Sequence, residues 1–246
     1  MALLQLRALR KSFGRLAAID GLDFDVEAGR ITSVIGPNGA GKTTLFNLIT
    51  GRVPADAGTI TFKDRPIGGL PPDAVARLGI ARSFQITNVF PRLTALENVR
   101  LAAQMRSSRA LSAWYPAGSL EAVSNRAAGI LERVGLGDLA DRPAHTLSHG
   151  DQRHLEIAMT LATEPELLLL DEPTAGMSAV ETGSTMALIG EIARQVTVLI
   201  IEHDMDLVMT LSHRVMVMAA GRKIAEGPAD AVARDREVRR VYLGGL

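Results

Sequence analysis

At 246 residues the chain is long for one domain and short for two full ones. Its 47% hydrophobic content allows a large core, and its zero formal net charge supplies no global basic field for nucleic acid. With no cysteine, disulfides and thiolate metal sites are excluded. The first residues carry no signal-peptide pattern, and the apolar runs at 167–170 and 196–201 fall far short of the about 20 residues that span a bilayer. The expectation is a soluble, cytosolic chain, unless a partner holds it at a membrane.

In chain order, Leu4, Leu6 and Ala8 alternate with Gln5 and Arg7, which predicts a strand over 3–9. A second alternating strand is expected over 22–26, and a buried one over 31–35. Phe13 reads either as a core or edge aromatic, or as a platform on which a nucleotide base stacks. The run ending at Ile35 leads into Gly36-Pro37-Asn38-Gly39-Ala40-Gly41-Lys42-Thr43-Thr44, and Leu45, Phe46, Leu48 and Ile49 then recur at helical spacing. This is G-x-x-x-x-G-K-T in the strand–loop–helix setting that the motif needs. Glycines let the loop wrap an anion with its N–H groups turned inward, and the helix adds its positive end. Lys42 reaches the β- and γ-phosphates, and the Thr43 hydroxyl can ligate Mg²⁺. The chain is therefore expected to bind a nucleoside triphosphate.

Beyond this helix a strand is expected over 59–62, a helix opening at Pro71, and a strand over 79–85 that ends on Gln85. From Ile86 to about Thr163 the pattern turns helical, over 95–105, 120–134 and 149–161, with a polar stretch at 107–118 between the first two. The α/β pattern then returns. Four leucines at 167–170 form a buried strand ending in Asp171 and Glu172, a helix covers 179–194, and a strand over 196–201 ends in Glu202 and His203. A hairpin over 214–226 and two short helices close the chain.

Two acids at the end of an apolar strand need a reason, because burying charge is costly. Ligands of open α/β sheets gather outside the carboxyl ends of strands. Successive side chains on a strand point to opposite faces, so the two acids are given different tasks. Asp171 is assigned to hold Mg²⁺ through water, and Glu172 to orient or deprotonate the attacking water. Gln85 and His203 each admit a structural reading. Their shared place at strand ends also lets them bond a γ-phosphate oxygen, the metal shell or the lytic water. Ser148 reads as an N-cap, with Asp151 three residues on. Ser148 and Gly150 together also read as a second phosphate site at a helix N-terminus. If both sites grip one nucleotide, the simplest geometry uses two copies of the chain.

In this order the motifs resemble those of the ATP-binding subunits of ABC (ATP-binding cassette) transporters over nearly the whole chain. Residues 36–43 resemble the Walker A loop and Gln85 the Q-loop glutamine. Residues 147–153 resemble the signature motif, 167–172 Walker B with its catalytic glutamate, and His203 the switch histidine. Phe13 falls where the family places its adenine-stacking aromatic. Residues 90–99, the insert at 104–124, Arg153-His154-Leu155-Glu156-Ile157-Ala158 and the ending at 238–244 are most similar to branched-chain amino acid importers. Relatives that import urea or short amides share much of the pattern. His149, Asp151 and Ser178 depart from the usual glycine, glutamine and aspartate.

The resemblance implies an α/β P-loop NTPase core with an N-terminal antiparallel β subdomain and a helical insert at 86–163, all within one domain, 1–246. It implies ATP and Mg²⁺ as cofactors, the metal being held by Thr43, Gln85 and Asp171. ATP on the loop of one subunit is capped by Ser148 and Gly150 of another, which is either identical or a related ATP-binding subunit. Membrane permease subunits are the direct partners and a solute-binding protein an indirect one, with the chain on the cytoplasmic face of the inner membrane. Nucleic acid is not an expected partner. A soluble ABC ATPase of ribosomes or DNA would need a second cassette, a coiled coil or a zinc insert, and a small-molecule kinase would not need residues 147–153.

Overall fold

The computed structural model describes residues 2–83, 89–104 and 117–243. In chain order its elements are β1 (Ala2–Phe13), β2 (Leu16–Glu27), β3 (Ile31–Ile35), α1 (Lys42–Ile49), β4 (Ala57–Phe62), β5 (Arg65–Pro66), α2 (Pro72–Arg77) and β6 (Ile80–Arg82). Three helices follow, α3 (Ala95–Gln104), α4 (Ala117–Arg133) and α5 (His149–Ala162). The rest is β7 (Leu167–Asp171), α6 (Ala179–Ile192), β8 (Thr197–Ile201), α7 (Met205–Leu211), β9 (Arg214–Ala219), β10 (Arg222–Gly227), α8 (Ala229–Arg234) and α9 (Arg236–Leu243). Two compact units divide the chain. The first comprises Met1–Ile80, Glu166–Glu172 and Ile189–Leu246, and the second Ala81–Pro165 and Pro173–Leu188.

Two sheets build the first unit. One is antiparallel, of order β2-β1-β4-β5. β1 and β2 run well past the alternating cores at 3–9 and 22–26, because the pattern is broken by an irregularity rather than by an end. Between Leu6 and Leu9 the register slips, Ala8 takes a left-handed φ of 46°, and its N–H is met by the Asp23 carboxylate at 2.7 Å. The polar residues beyond it continue the ladder to Phe13.

The other sheet runs β10-β9-β3-β8-β7 across the first unit, with β9, β3, β8 and β7 parallel. Every residue of β3, β7 and β8 is buried. This is the signature of strands covered on both faces, and it explains why their sequences are apolar runs rather than alternations. Val34 pairs with Ile201 of β8, and Asp171 of β7 pairs with Ile201 as well. The carboxyl ends of β3, β8 and β7 therefore come out level. Leu45, Phe46 and Ile49 of α1 are wholly buried in the same core as Leu4, Leu6, Leu167 and Leu199. At about 1.5–3 kcal/mol per fully buried large apolar side chain, this contact fixes where α1 begins.

In the second unit α3 packs against α4 and α5. The start of α3 has a reciprocal capping box. The Glu97 carboxylate accepts from Thr94 N–H at 2.8 Å, and the Thr94 hydroxyl oxygen accepts from Glu97 N–H at 3.1 Å. Buried Asn98 ties the preceding loop down through Phe90 N–H and the carbonyls of Phe90, Leu93 and Thr94. The strand expected over 79–85 is described only as β6, and Gln85 lies outside the described residues, as does most of the stretch at 107–118. No helix among the described residues is long and apolar enough to cross a membrane.

Candidate active site

The loop after β3 folds back on itself. Ala40 N–H bonds to the Pro37 carbonyl at 3.1 Å, and Gly221 N–H, from the β9–β10 turn, bonds to the Ala40 carbonyl at 3.0 Å. Gly41 sits at the N-cap of α1 with φ +103° and offers no side-chain cap. A Cβ there would come within 2.4 Å of the Ala18 carbonyl. Only glycine fits, so the first amides of α1 remain available to an external acceptor.

Lys42 opens the helix and is 8% exposed. Its Nζ donates to the Gly36 carbonyl at 2.6 Å and the Pro37 carbonyl at 3.2 Å. Burial pushes its ammonium below the usual lysine range, and the Glu172 and Asp171 carboxylates pull it back up. The result is a partly desolvated cation held by its own loop and facing two acids. Pro37, Asn38, Gly39 and Thr43 are exposed, Thr44 is half-buried, and Gly36 and Ala40 are buried.

Asp171 ends β7 at 1% exposed. Glu172 follows in the left-handed region, at φ 46°, and its N–H bonds to the Ile201 carbonyl at 2.9 Å. A non-glycine residue there costs about 1–3 kcal/mol and persists only when its surroundings impose it. Here the amide is pinned to β8, and the carboxylate, 24% exposed, stands 4.0 Å from Nδ1 of His203. That distance is ion-pair reach rather than a hydrogen bond. His203 is itself 63% exposed, so it is free to turn toward a ligand. Beside it Glu202 is 1% exposed, and its carboxylate accepts from His203 N–H at 3.2 Å. The next residue, Asp204, caps α7 through Asp206 and Leu207 N–H. The first unit thus gathers the loop, Lys42, Asp171, Glu172 and His203 at the level ends of three neighbouring strands. Phe13, at the end of β1, is 50% exposed, with Lys11 Nζ 5.5 Å from its ring centroid.

These residues suit a magnesium–triphosphate. Anion donors come from the loop amides and Lys42, a neutral oxygen from Thr43, and a buried carboxylate from Asp171. Among the described residues no group of three or more His, Cys, Asp or Glu could hold a metal alone. Magnesium shared with phosphate oxygens needs no such cage.

In the second unit Ser148 caps α5 as expected, accepting from Asp151 N–H at 3.1 Å. Its hydroxyl also donates to the Asp151 carboxylate at 2.7 Å. Two residues given no individual role from the sequence matter here. Arg153, buried and paired with Glu156 at 2.6 Å, donates to the Pro173 carbonyl at 3.2 Å, so α5 grips the residue that follows Glu172 in the chain. Glu181, in the first turn of α6, accepts from Gly150 N–H at 3.3 Å. A signal for Glu181 was present, since Ser178-x-x-Glu181 is a capping-box pattern. Nothing in the sequence marks Arg153 as buried.

Comparison with known proteins fits this geometry. The ABC transporter family profile matches residues 19–175, and that of the branched-chain amino acid ATP-binding cassette transporters matches residues 222–245. The high-affinity branched-chain amino acid transport ATP-binding protein LivG of Salmonella typhimurium is 40% identical, over 98% of both chains. BraF of Pseudomonas aeruginosa, of the same description, is also 40% identical over 98% of both. The ADP conformation of MJ1267, an ATP-binding cassette of an ABC transporter, superposes with a TM-score of 0.87 at 34% identity, over 99% of each chain. The chain belongs to the ABC transporter ATP-binding cassettes, in the branch of the branched-chain amino acid transporters.

Proposed function

We propose that this chain is the ATP-binding and ATP-hydrolysing subunit that powers a membrane permease for the uptake of branched-chain amino acids. The observation that carries the reading is the placement of Lys42, Asp171, Glu172 and His203 at the level ends of β3, β7 and β8. The phosphate loop and Lys42 would hold the triphosphate, Phe13 would stack on the base, and Thr43, Gln85 and Asp171 would hold Mg²⁺. Bound there, Mg²⁺ would supply charge that neutralises the phosphates, and ATP the phosphoryl group. Glu172 takes a proton from the attacking water, and His203 turns its imidazole to the γ-phosphate. Catalysis is mainly positioning and charge stabilisation.

Ser148 and Gly150 complete the site on a second cassette, identical or related, so ATP joins two subunits. Residues 86–163 form the helical insert of a single ABC ATPase domain and pass the motion on to the permease, at the cytoplasmic face of the inner membrane. A solute-binding protein acts on the far side. Half-exposed Phe90, on a loop fixed by Asn98, supports such docking.

Glu172→Gln tests the reading. Turnover is expected to fall by about 10²–10⁴-fold, with ATP binding retained and an ATP-dependent dimer formed. Reconstitution with the permease captured by this variant should give uptake of labelled leucine, isoleucine or valine by the unsubstituted chain. Uptake of urea or short amides alone would move the assignment to that branch, and normal turnover would remove Glu172 from its role.

A further inference from the structure

Both groups that would cap the nucleotide are already engaged within this chain. The Ser148 hydroxyl donates to Asp151, and Gly150 N–H donates to Oε1 of Glu181. The other oxygen of Glu181 accepts from Ser178 N–H at 2.9 Å and from the Ser178 hydroxyl at 2.7 Å. The acid lies close against the amide it occupies, since a Cβ on Gly150 would come within 2.9 Å of Oε1. The Ser178 hydroxyl first, then the Ser178 and Gly150 N–H groups and His149, hold the Glu181 carboxyl below the usual carboxylate range, so it is anionic at neutral pH.

An ionised carboxylate and a phosphate oxygen present the same chemistry to a backbone N–H. We propose that Glu181 is a phosphate stand-in: its carboxylate occupies the Gly150 amide in the unengaged cassette, ties it to the turn at Ser178, and must be displaced by the γ-phosphate of ATP held on the partner cassette. The inference rests on the reading that Ser148 and Gly150 cap nucleotide. It also accounts for Ser178, which stands where the resemblance places an aspartate. An aspartate would keep only the backbone N–H donation to Glu181 and would repel it, whereas serine adds a hydroxyl donor. Glu181 is thus a positioning residue that sets the ATP level at which two cassettes close.

The test uses the full chain carrying Glu172→Gln, with the ATP concentration for half-maximal dimer formation read by light scattering. Adding Glu181→Ala is expected to lower that midpoint about fivefold, the scale of losing one charged competitor for the amide. ATP affinity of the dilute monomer, set by the Lys42 loop, should not move. Glu181→Gln, which keeps an acceptor oxygen without the charge, should fall between the two and serves if the alanine variant does not fold. An unchanged or raised midpoint overturns the proposal. So does an equal shift on Ser178→Ala, which removes the helix cap but leaves the carboxylate on Gly150. If the Glu172→Gln chain forms no ATP-dependent dimer at all, the capping role of Ser148 and Gly150 falls first, and this inference falls with it.

Discussion

The phosphate loop and the turn at Ser148 are both places where backbone N–H groups at a helix start can meet phosphate, yet they are built in opposite ways. The loop is braced from within. Lys42 is buried and held by two carbonyls of its own loop, Gly41 admits no side chain, and the acids that face it are charges of opposite sign. At Ser148 and Gly150 the donors are held by carboxylates, which are competitors for the same positions that phosphate would take. The first arrangement is preorganised for a ligand, since little has to move when an anion arrives. The second is satisfied without one, and something must be displaced. On the proposed reading, in which Ser148 and Gly150 cap nucleotide held by a second cassette, such a chain would bind nucleotide alone and engage that cassette only afterwards.

The contrast can be broken at the loop first. Lys42→Ala should lower ATP affinity by about 100-fold, as read by titration calorimetry, because a desolvated cation and its charge-assisted bonds are lost. The fold should survive, since the same change removes a buried charge. Affinity within a few-fold of the unsubstituted chain would show that the loop is not the gripping half.

Glycine substitutions compare the two sites within one experiment. Gly41→Ala forces a side chain into a φ of +103° and onto the Ala18 carbonyl, and should destabilise the protein by about 3 kcal/mol in denaturant unfolding. Gly150→Ala meets only the flexible end of Glu181 and should lose about 1 kcal/mol or less. Equal losses would mean that the two turns are equally rigid.

The smallest expected effect concerns His154, on α5 one turn from Gly150. Burial holds its imidazole below the ordinary value of 6.5, and its Nε2 lies 3.1 Å from the Thr185 hydroxyl. The unfolded chain therefore takes up a proton before the folded one does. The stability contributed by the neutral ring is present above pH 6.5 and is lost as pH falls from there toward the lower folded value. The thermal midpoint should drop by a few degrees over that interval, and His154→Gln should flatten the drop. An unchanged slope would mean that the start of α5 already admits water.

The first unit was the more legible of the two. A sheet covered on both faces makes apolar runs, and Asp171, Glu172 and His203 stand out because they end such runs. The loop at 36–44 carries its own spacing. The length of β1 was hidden because the irregularity at Ala8, held by Asp23, interrupts the alternation without ending the strand. In the second unit the cap at Ser148 and its partner Asp151 were readable, and Ser178-x-x-Glu181 marked Glu181 as a cap of α6 but not as the partner of Gly150. Glu181 reaches Gly150 across 31 residues of sequence, and Arg153 donates to the Pro173 carbonyl 20 residues away. Contacts of that range leave no periodic trace.

The left-handed backbone of Glu172 sets a trade-off for anyone who would harden this protein. Replacing that residue with glycine would relieve strain worth about 1 kcal/mol and delete the carboxylate in the same step. If Glu172 has the role proposed for it, a search that rewards heat tolerance alone would accept a sturdier molecule that no longer turns over ATP.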